Sequence, residues 1–301
     1  IMNNTAKKYG LGLALSGGGA KGAAHCGALQ AFDEFGIVPD IVAGTSAGSI
    51  VASLYASGIR PVEMCNFFIT KDFKDLLKVG RINMGLFDSA PLVKMLGEII
   101  PYKHIEDMPI PLKVVACDLD NGCVKVFDRG ETAPRVMASC SIPVFFYPMV
   151  IDGVRYLDGG VFQNLPASTL RPDCEKLIGV TVHSSVDKRY DKTLAGVAIR
   201  SFSMMFVSNS LEDAKMCDQW INIYTCGYSQ FDLSNVKKLF EAGYNSTVAA
   251  LEAYGYERRK PQEKLIFKNK TAGRMAKINM KDTMFNVKAR LPHKRKAAIS
   301  E

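Results

Sequence analysis

The chain has 301 residues, a formal net charge of +8, 48% hydrophobic and 23% charged residues. These proportions exclude a disordered chain, a collagen-like fibre and a small disulfide-stapled domain, and they suit one sizeable globular unit. An uncharged stretch, Ile41 to Ile59, is near membrane-spanning length, but its Gly44, Gly48 and Gly58 and its Thr45, Ser46, Ser49, Ser53 and Ser57 exclude a transmembrane helix.

A first strand is predicted over 11–16. It runs into Ser16-Gly17-Gly18-Gly19-Ala20-Lys21-Gly22 and then a helix over 20–35. Three successive glycines leave backbone N–H groups uncovered, and the helix adds the positive end of its dipole. Such a loop suits an anion, for example the oxyanion of acyl transfer. Gly17, Gly19 and Gly22 also fit G-x-G-x-x-G, but a dinucleotide site needs a carboxylate at the end of the next strand. That strand, over 40–44, ends in Gly44-Thr45-Ser46. An ATP loop is excluded because Lys21 is followed by Gly22 rather than Ser or Thr.

The second strand opens Gly44-Thr45-Ser46-Ala47-Gly48 and a helix over 46–57. Strand, sharp turn and helix form the setting in which a G-x-S-x-G serine becomes a nucleophile. Helices over 62–70 and 89–100 follow, then a hairpin over 112–128 turning at Asn121-Gly122 and a helix over 131–140. A second hairpin turns at Asp152-Gly153 and delivers Asp158-Gly159-Gly160 to a strand end. Alone, Asp-Gly-Gly reads simply as a turn. Strands over 177–183 and 219–225 and helices over 190–216 and 234–254 complete an alternating α/β chain. The fold class is a three-layer α/β/α sandwich with a mostly parallel central sheet.

Taken in order, the glycine loop, the serine motif and the Asp-Gly-Gly turn resemble the patatin-like phospholipases. The resemblance runs through Ala138-Ser139-Cys140-Ser141-Ile142-Pro143, the 177–182 strand and Glu241-Ala242-Gly243-Tyr244, and covers about residues 9 to 253. It implies a patatin-like catalytic domain over 9–254 and a basic extension over 255–301. It also implies a serine acyl hydrolase acting on glycerophospholipids or lysophospholipids. Catalytic Ser46 and Asp158 would form a dyad without histidine, and Gly17, Gly18 and Gly19 the oxyanion hole. Lys21, Gly22, Gly44, Gly48, Gly159 and Gly160 would support those motifs; no metal or other cofactor is implied. The chain departs from the family at Ser16, where Asp is frequent, at Lys21, where Arg is frequent, and at Val144, where Gly is common. A patatin-like binder of lipid or protein with little catalysis is the alternative.

A histidine triad is the competing mechanism. His25 on the first helix is expected either to pack or to face solvent, and His104 and His293 lie in a proline-rich loop and the basic tail. Only His183, after Asp158 and at a strand end, has the order such a triad needs. Eight cysteines without C-x-x-C spacing, and no leader after Met2, suit a reduced cytoplasm. From Glu257 onward there are 14 Lys or Arg against four acidic residues, so a solvated or partly ordered tail is the expected reading, and a peripheral contact with an anionic membrane at its inner surface is the functional alternative. Nucleic acid is not an expected partner, since no aromatic interleaving accompanies the charge. Three apolar segments, Met64 to Ile69, Ile142 to Met149 and Phe202 to Val207, are candidate walls for an acyl channel.

Overall fold

A computed structural model of the chain describes residues 7–70, 85–182 and 190–262. His183 and His293 lie outside the described residues, as do residues 263–301 of the basic extension. In chain order the strands are β1 (Tyr9–Leu15), β2 (Ile41–Thr45), β3 (Leu112–Asp118), β4 (Cys123–Phe127), β5 (Met149–Ile151), β6 (Val154–Asp158), β7 (Cys174–Thr181) and β8 (Gln219–Asn222). The helices are α1 (Ala23–Phe35), α2 (Ala47–Ala56), α3 (Pro61–Thr70), α4 (Ala90–Ile99), α5 (Thr132–Ser139), α6 (Ala167–Leu170), α7 (Leu194–Ala214) and α8 (Val236–Ala253). The short α6 has no counterpart in the sequence reading.

One mixed sheet has the order β5-β6-β3-β2-β1-β7-β8, with β4 also paired to β3. The β3-β2-β1-β7-β8 run is parallel. The hairpin strands β4, β5 and β6 pair antiparallel. Period-two alternation sorts side chains between the two faces. Leu13, Leu15 and Val42 enter the large core under α1, α2, α3 and α8, whereas Ala14, Ile41 and Ala43 enter a smaller core with Leu165, Ala167, Leu170 and Ala214. The second face carries small residues because α6 and the end of α7 lie close on it. Helices therefore cover both faces, and the α/β sandwich is the observed fold.

One feature of the sheet decides the site. Strand β2 is parallel to β3 and occupies Leu112 to Val115, with Thr45 opposite Val115. Strand β6 is antiparallel to β3 and occupies Ala116 to Asp118, with Asp158 opposite Ala116. Strands β2 and β6 thus run toward each other along β3, and their C-terminal ends meet.

The described part of the C-terminal extension is built into the fold. Arg258 donates to the buried Glu34 carboxylate at 2.6 Å and to the Tyr244 hydroxyl at 2.9 Å, and lies 5.4 Å from the Phe35 ring centroid. The backbone amides of Arg259 and Lys260 donate to the Glu34 carbonyl at 3.0 and 2.9 Å.

Candidate active site

Ser46 connects β2 to α2 with φ 52° and ψ −126°, a left-handed conformation that costs a residue other than glycine about 1–3 kcal/mol. The surroundings hold it there. Its amide donates to Ser139 Oγ at 2.8 Å, and the Ser139 hydroxyl donates to the Val115 carbonyl at 2.5 Å. Its carbonyl accepts from the Ser49 amide and hydroxyl at 2.8 and 2.7 Å. Gly44 and Gly48 are required by close approach: a Cβ on Gly44 would strike the Gly48 carbonyl, and one on Gly48 would strike that of Leu15. A Cβ on Gly22 would sit 2.8 Å from the Ala47 Cβ, which presses the glycine loop onto the start of α2. Lys21 is buried at 7% exposure.

Asp158 ends β6 and is fully buried. Its Oδ1 accepts the Gly160 amide at 2.8 Å, and its own amide donates to the Ser141 carbonyl at 2.9 Å. Oδ2 has no hydrogen-bond partner among the described residues. Burial pushes the carboxyl up to about 7, against the opposing pull of the Ser46 hydroxyl and the Gly160 amide. The Ser46 hydroxyl is thus close enough to favour the charged carboxylate without closing a well-formed hydrogen bond to it. A Cβ on Gly159 would strike the Val115 carbonyl and stand 3.0 Å from Thr45 Cγ2, so the Asp-Gly-Gly turn is packed directly against the end of β2.

The glycine loop lies alongside. The Gly17 amide donates to the Asn164 carbonyl at 3.0 Å, and the Ala20 amide to the Gln230 carbonyl at 2.8 Å. Between them, the amides of Gly18 and Gly19 have no acceptor among the described residues. They are the donors this loop has to offer. Asn209 braces the same region, donating to the Gly160 carbonyl at 2.8 Å and accepting the Asn164 amide at 2.9 Å.

A cavity of about 200 Å³ begins at Ser46 and Gly19 and runs between Phe68 of α3, Leu92 and Met95 of α4, Met137, Ile142 and Phe146. Two of the three apolar segments expected to wall an acyl channel contribute to it. The third, Phe202 to Val207, does not line this cavity; its Phe206 instead packs on Gly160, whose Cβ would stand 2.7 Å from that ring. Sequence reasoning missed the wall from α4, because an apolar helix face looks the same whether it faces core or cavity.

His25 is fully buried, with Nε2 2.8 Å from the Ser16 carbonyl and its pKa lowered to about 4 by burial. His104 is 3.6 Å from Asp107 at the surface. Neither reaches Ser46 or Asp158.

The family model for patatin-like phospholipases matches residues 13–171. A Caenorhabditis elegans patatin-like phospholipase domain-containing protein, ZK370.4, is 32% identical over 169 residues, covering 54% of this chain and 12% of that protein. Lysophospholipase NTE1 of Candida albicans is 30% identical over 210 residues, covering 65% and 15%. Among solved structures, VipD of Legionella pneumophila superposes with a TM-score of 0.54 at 15% identity, covering 83% of this chain and 68% of that one. The chain belongs to the patatin-like phospholipase family. It spans only 12–15% of the length of those two sequence relatives.

Proposed function

We propose that the chain is a serine acyl hydrolase of phospholipid or lysophospholipid esters, working through Ser46 and Asp158. One observation carries the reading: the head-on meeting of β2 and β6 brings a strained serine to a buried carboxyl with a free Oδ2, at the end of an apolar cavity. Ser46 Oγ attacks the ester carbonyl carbon while Asp158 Oδ2 accepts the hydroxyl proton. The displaced carbonyl electron pair becomes an oxyanion held by the amides of Gly18 and Gly19. Collapse expels the alcohol, which takes the proton back from Asp158. Water then repeats the sequence on the acyl-serine, releasing the fatty acid and restoring Ser46. A carboxyl near 7 is about half ionised at neutral pH, which suits both proton transfers.

The test is labelling by a fluorophosphonate together with hydrolysis of a soluble p-nitrophenyl ester. Ser46→Ala is expected to abolish labelling. Ser46→Ala and Asp158→Asn are each expected to lower kcat/KM by at least a thousandfold, and the double variant to be little worse than either, since the groups act as a unit. Labelling that survives Ser46→Ala would overturn the proposal.

A further inference from the structure

Ser16 is fully buried where β1 gives way to the glycine loop. Its amide donates to the Val180 carbonyl at 3.1 Å and so continues the ladder between β1 and β7. In a parallel ladder the Val182 amide would then donate to the Ser16 carbonyl. Here it donates to Ser16 Oγ, at 3.2 Å, and the carbonyl turns to His25 Nε2 at 2.8 Å. The side chain thus takes the place of the main chain in the sheet, and the backbone is released into the loop. Because an amide can only donate, Oγ is the acceptor in that bond and keeps its own proton to give. That proton goes to the Gly17 carbonyl, 3.1 Å away. An ionised carboxylate at this position, the residue frequent in the family, would accept from Val182 but have no proton for Gly17.

The Gly17 carbonyl and the Gly18 amide belong to one planar trans peptide, so they point in opposite directions. Holding the carbonyl against Ser16 fixes where the Gly18 N–H points, and that N–H has no acceptor among the described residues. The next peptide is held the same way by backbone alone: the Gly18 carbonyl accepts the Lys21 amide at 3.2 Å, which fixes the Gly19 N–H. The loop stands against the nucleophile, since a Cβ on Gly17 would lie 3.1 Å from Ser46 Cβ. We infer that Ser16 is the positioning residue of the oxyanion hole, its hydroxyl aiming the Gly18 amide at the oxyanion that forms when Ser46 attacks. The inference rests on the proposed function for the reaction, and one arm of its test needs no turnover.

Glycine labelled at its nitrogen and carbonyl carbon isolates the loop: in a spectrum correlating each amide with the preceding carbonyl, only Gly18, Gly19 and Gly160 follow another glycine and give signals. Ser16→Ala is expected to move the Gly17 carbonyl signal upfield, as loss of a hydrogen bond does, and to leave that of Gly159 in place. On a soluble p-nitrophenyl ester Ser16→Ala should lower kcat by about tenfold to hundredfold, less than loss of a whole oxyanion donor, with KM within about twofold. A trifluoromethyl ketone, which Ser46 converts to an oxyanion, should bind more weakly by the same factor, whereas the matching methyl ketone, bound without reaction, should not. Ser16→Cys, a weaker donor of similar size, should fall between parent and Ser16→Ala in carbonyl shift and kcat alike, and decides the case if the alanine variant does not fold. An unmoved Gly17 signal or an unchanged kcat overturns the inference. Equal weakening of both ketones overturns it in favour of a general loosening of the fold. A parent protein that hydrolyses no ester, while its Gly17 signal still responds to Ser16→Ala, overturns the proposed function instead.

Discussion

Asp158 is neutral more readily in the fold than outside it. Its folded pKa of about 7 lies above the unfolded value of 3.8, so between these values the native chain holds a proton that the unfolded chain has released. Stability from this group is therefore fully present below about pH 4 and is lost as pH rises to about 7, by roughly 4 kcal/mol in all. The loss is the cost of holding an ionised carboxylate in a dry site. Asp158→Asn keeps the acceptor for the Gly160 amide and removes the charge. The variant is expected to melt several degrees above the parent at pH 8, with the gap closing at pH 4.5, in calorimetric scans at both pH values. The parent's kcat/KM should rise with pH to a plateau with an apparent pKa near 7. A melting gap equal at both pH values would mean that Asp158 is not the group destabilised by ionisation.

Helices and strands show which parts of the site a sequence can carry. Gly44, Gly48 and Gly159 were legible because each lies where two backbones leave no room for a Cβ. The two hairpins were legible from Asn121-Gly122 and Asp152-Gly153, which supply the positive-φ residues their turns need. Ser139 and Asn209 were not: each acts on a partner far along the chain, Ser46 or Gly160, and no local pattern records such a pairing. The cavity wall from α4 was hidden for a different reason: an apolar helix face reads the same whether it faces core or cavity. That wall carries its own prediction. Met95→Trp adds bulk inside the cavity, with an overpacking cost of about 1–3 kcal/mol. Hydrolysis of a p-nitrophenyl acetate should stay within about threefold, and that of the dodecanoate should fall more than tenfold. A chain-length profile unchanged by Met95→Trp would remove the cavity from acyl binding.

Across the whole molecule, residues 255–262 tie the chain's C-terminal side to α1 through Glu34. That carboxylate has a side-chain exposure of 2%, and Arg258, at 29%, is its cationic partner. Removing one member of a fully buried pair costs roughly 3–5 kcal/mol; with Arg258 partly in water, about 2 kcal/mol is expected for Arg258→Ala. Thermal scans should show Tm lowered by roughly 4–8 °C, with soluble-ester kinetics at 25 °C unchanged because the pair is remote from Ser46. No change in Tm would show that the Glu34 network does not hold this segment. Truncations meant to test the basic tail should accordingly begin after Gln262.

The junction of β2 and β6 along β3 also makes the site a gauge of strand register. Thr45 and Asp158 stand opposite the consecutive residues Val115 and Ala116. A slip of β6 by one residue would carry Asp158 about 3.3 Å along β3 and turn its carboxyl to the other face of the sheet. Misregistered molecules would retain their helices, most of their core and an intact serine, yet have no carboxyl beside it. With Asp158 as the base proposed for Ser46, the fraction of a refolded sample reactive toward a fluorophosphonate would count the chains whose last hairpin has found its place, something circular dichroism would not distinguish.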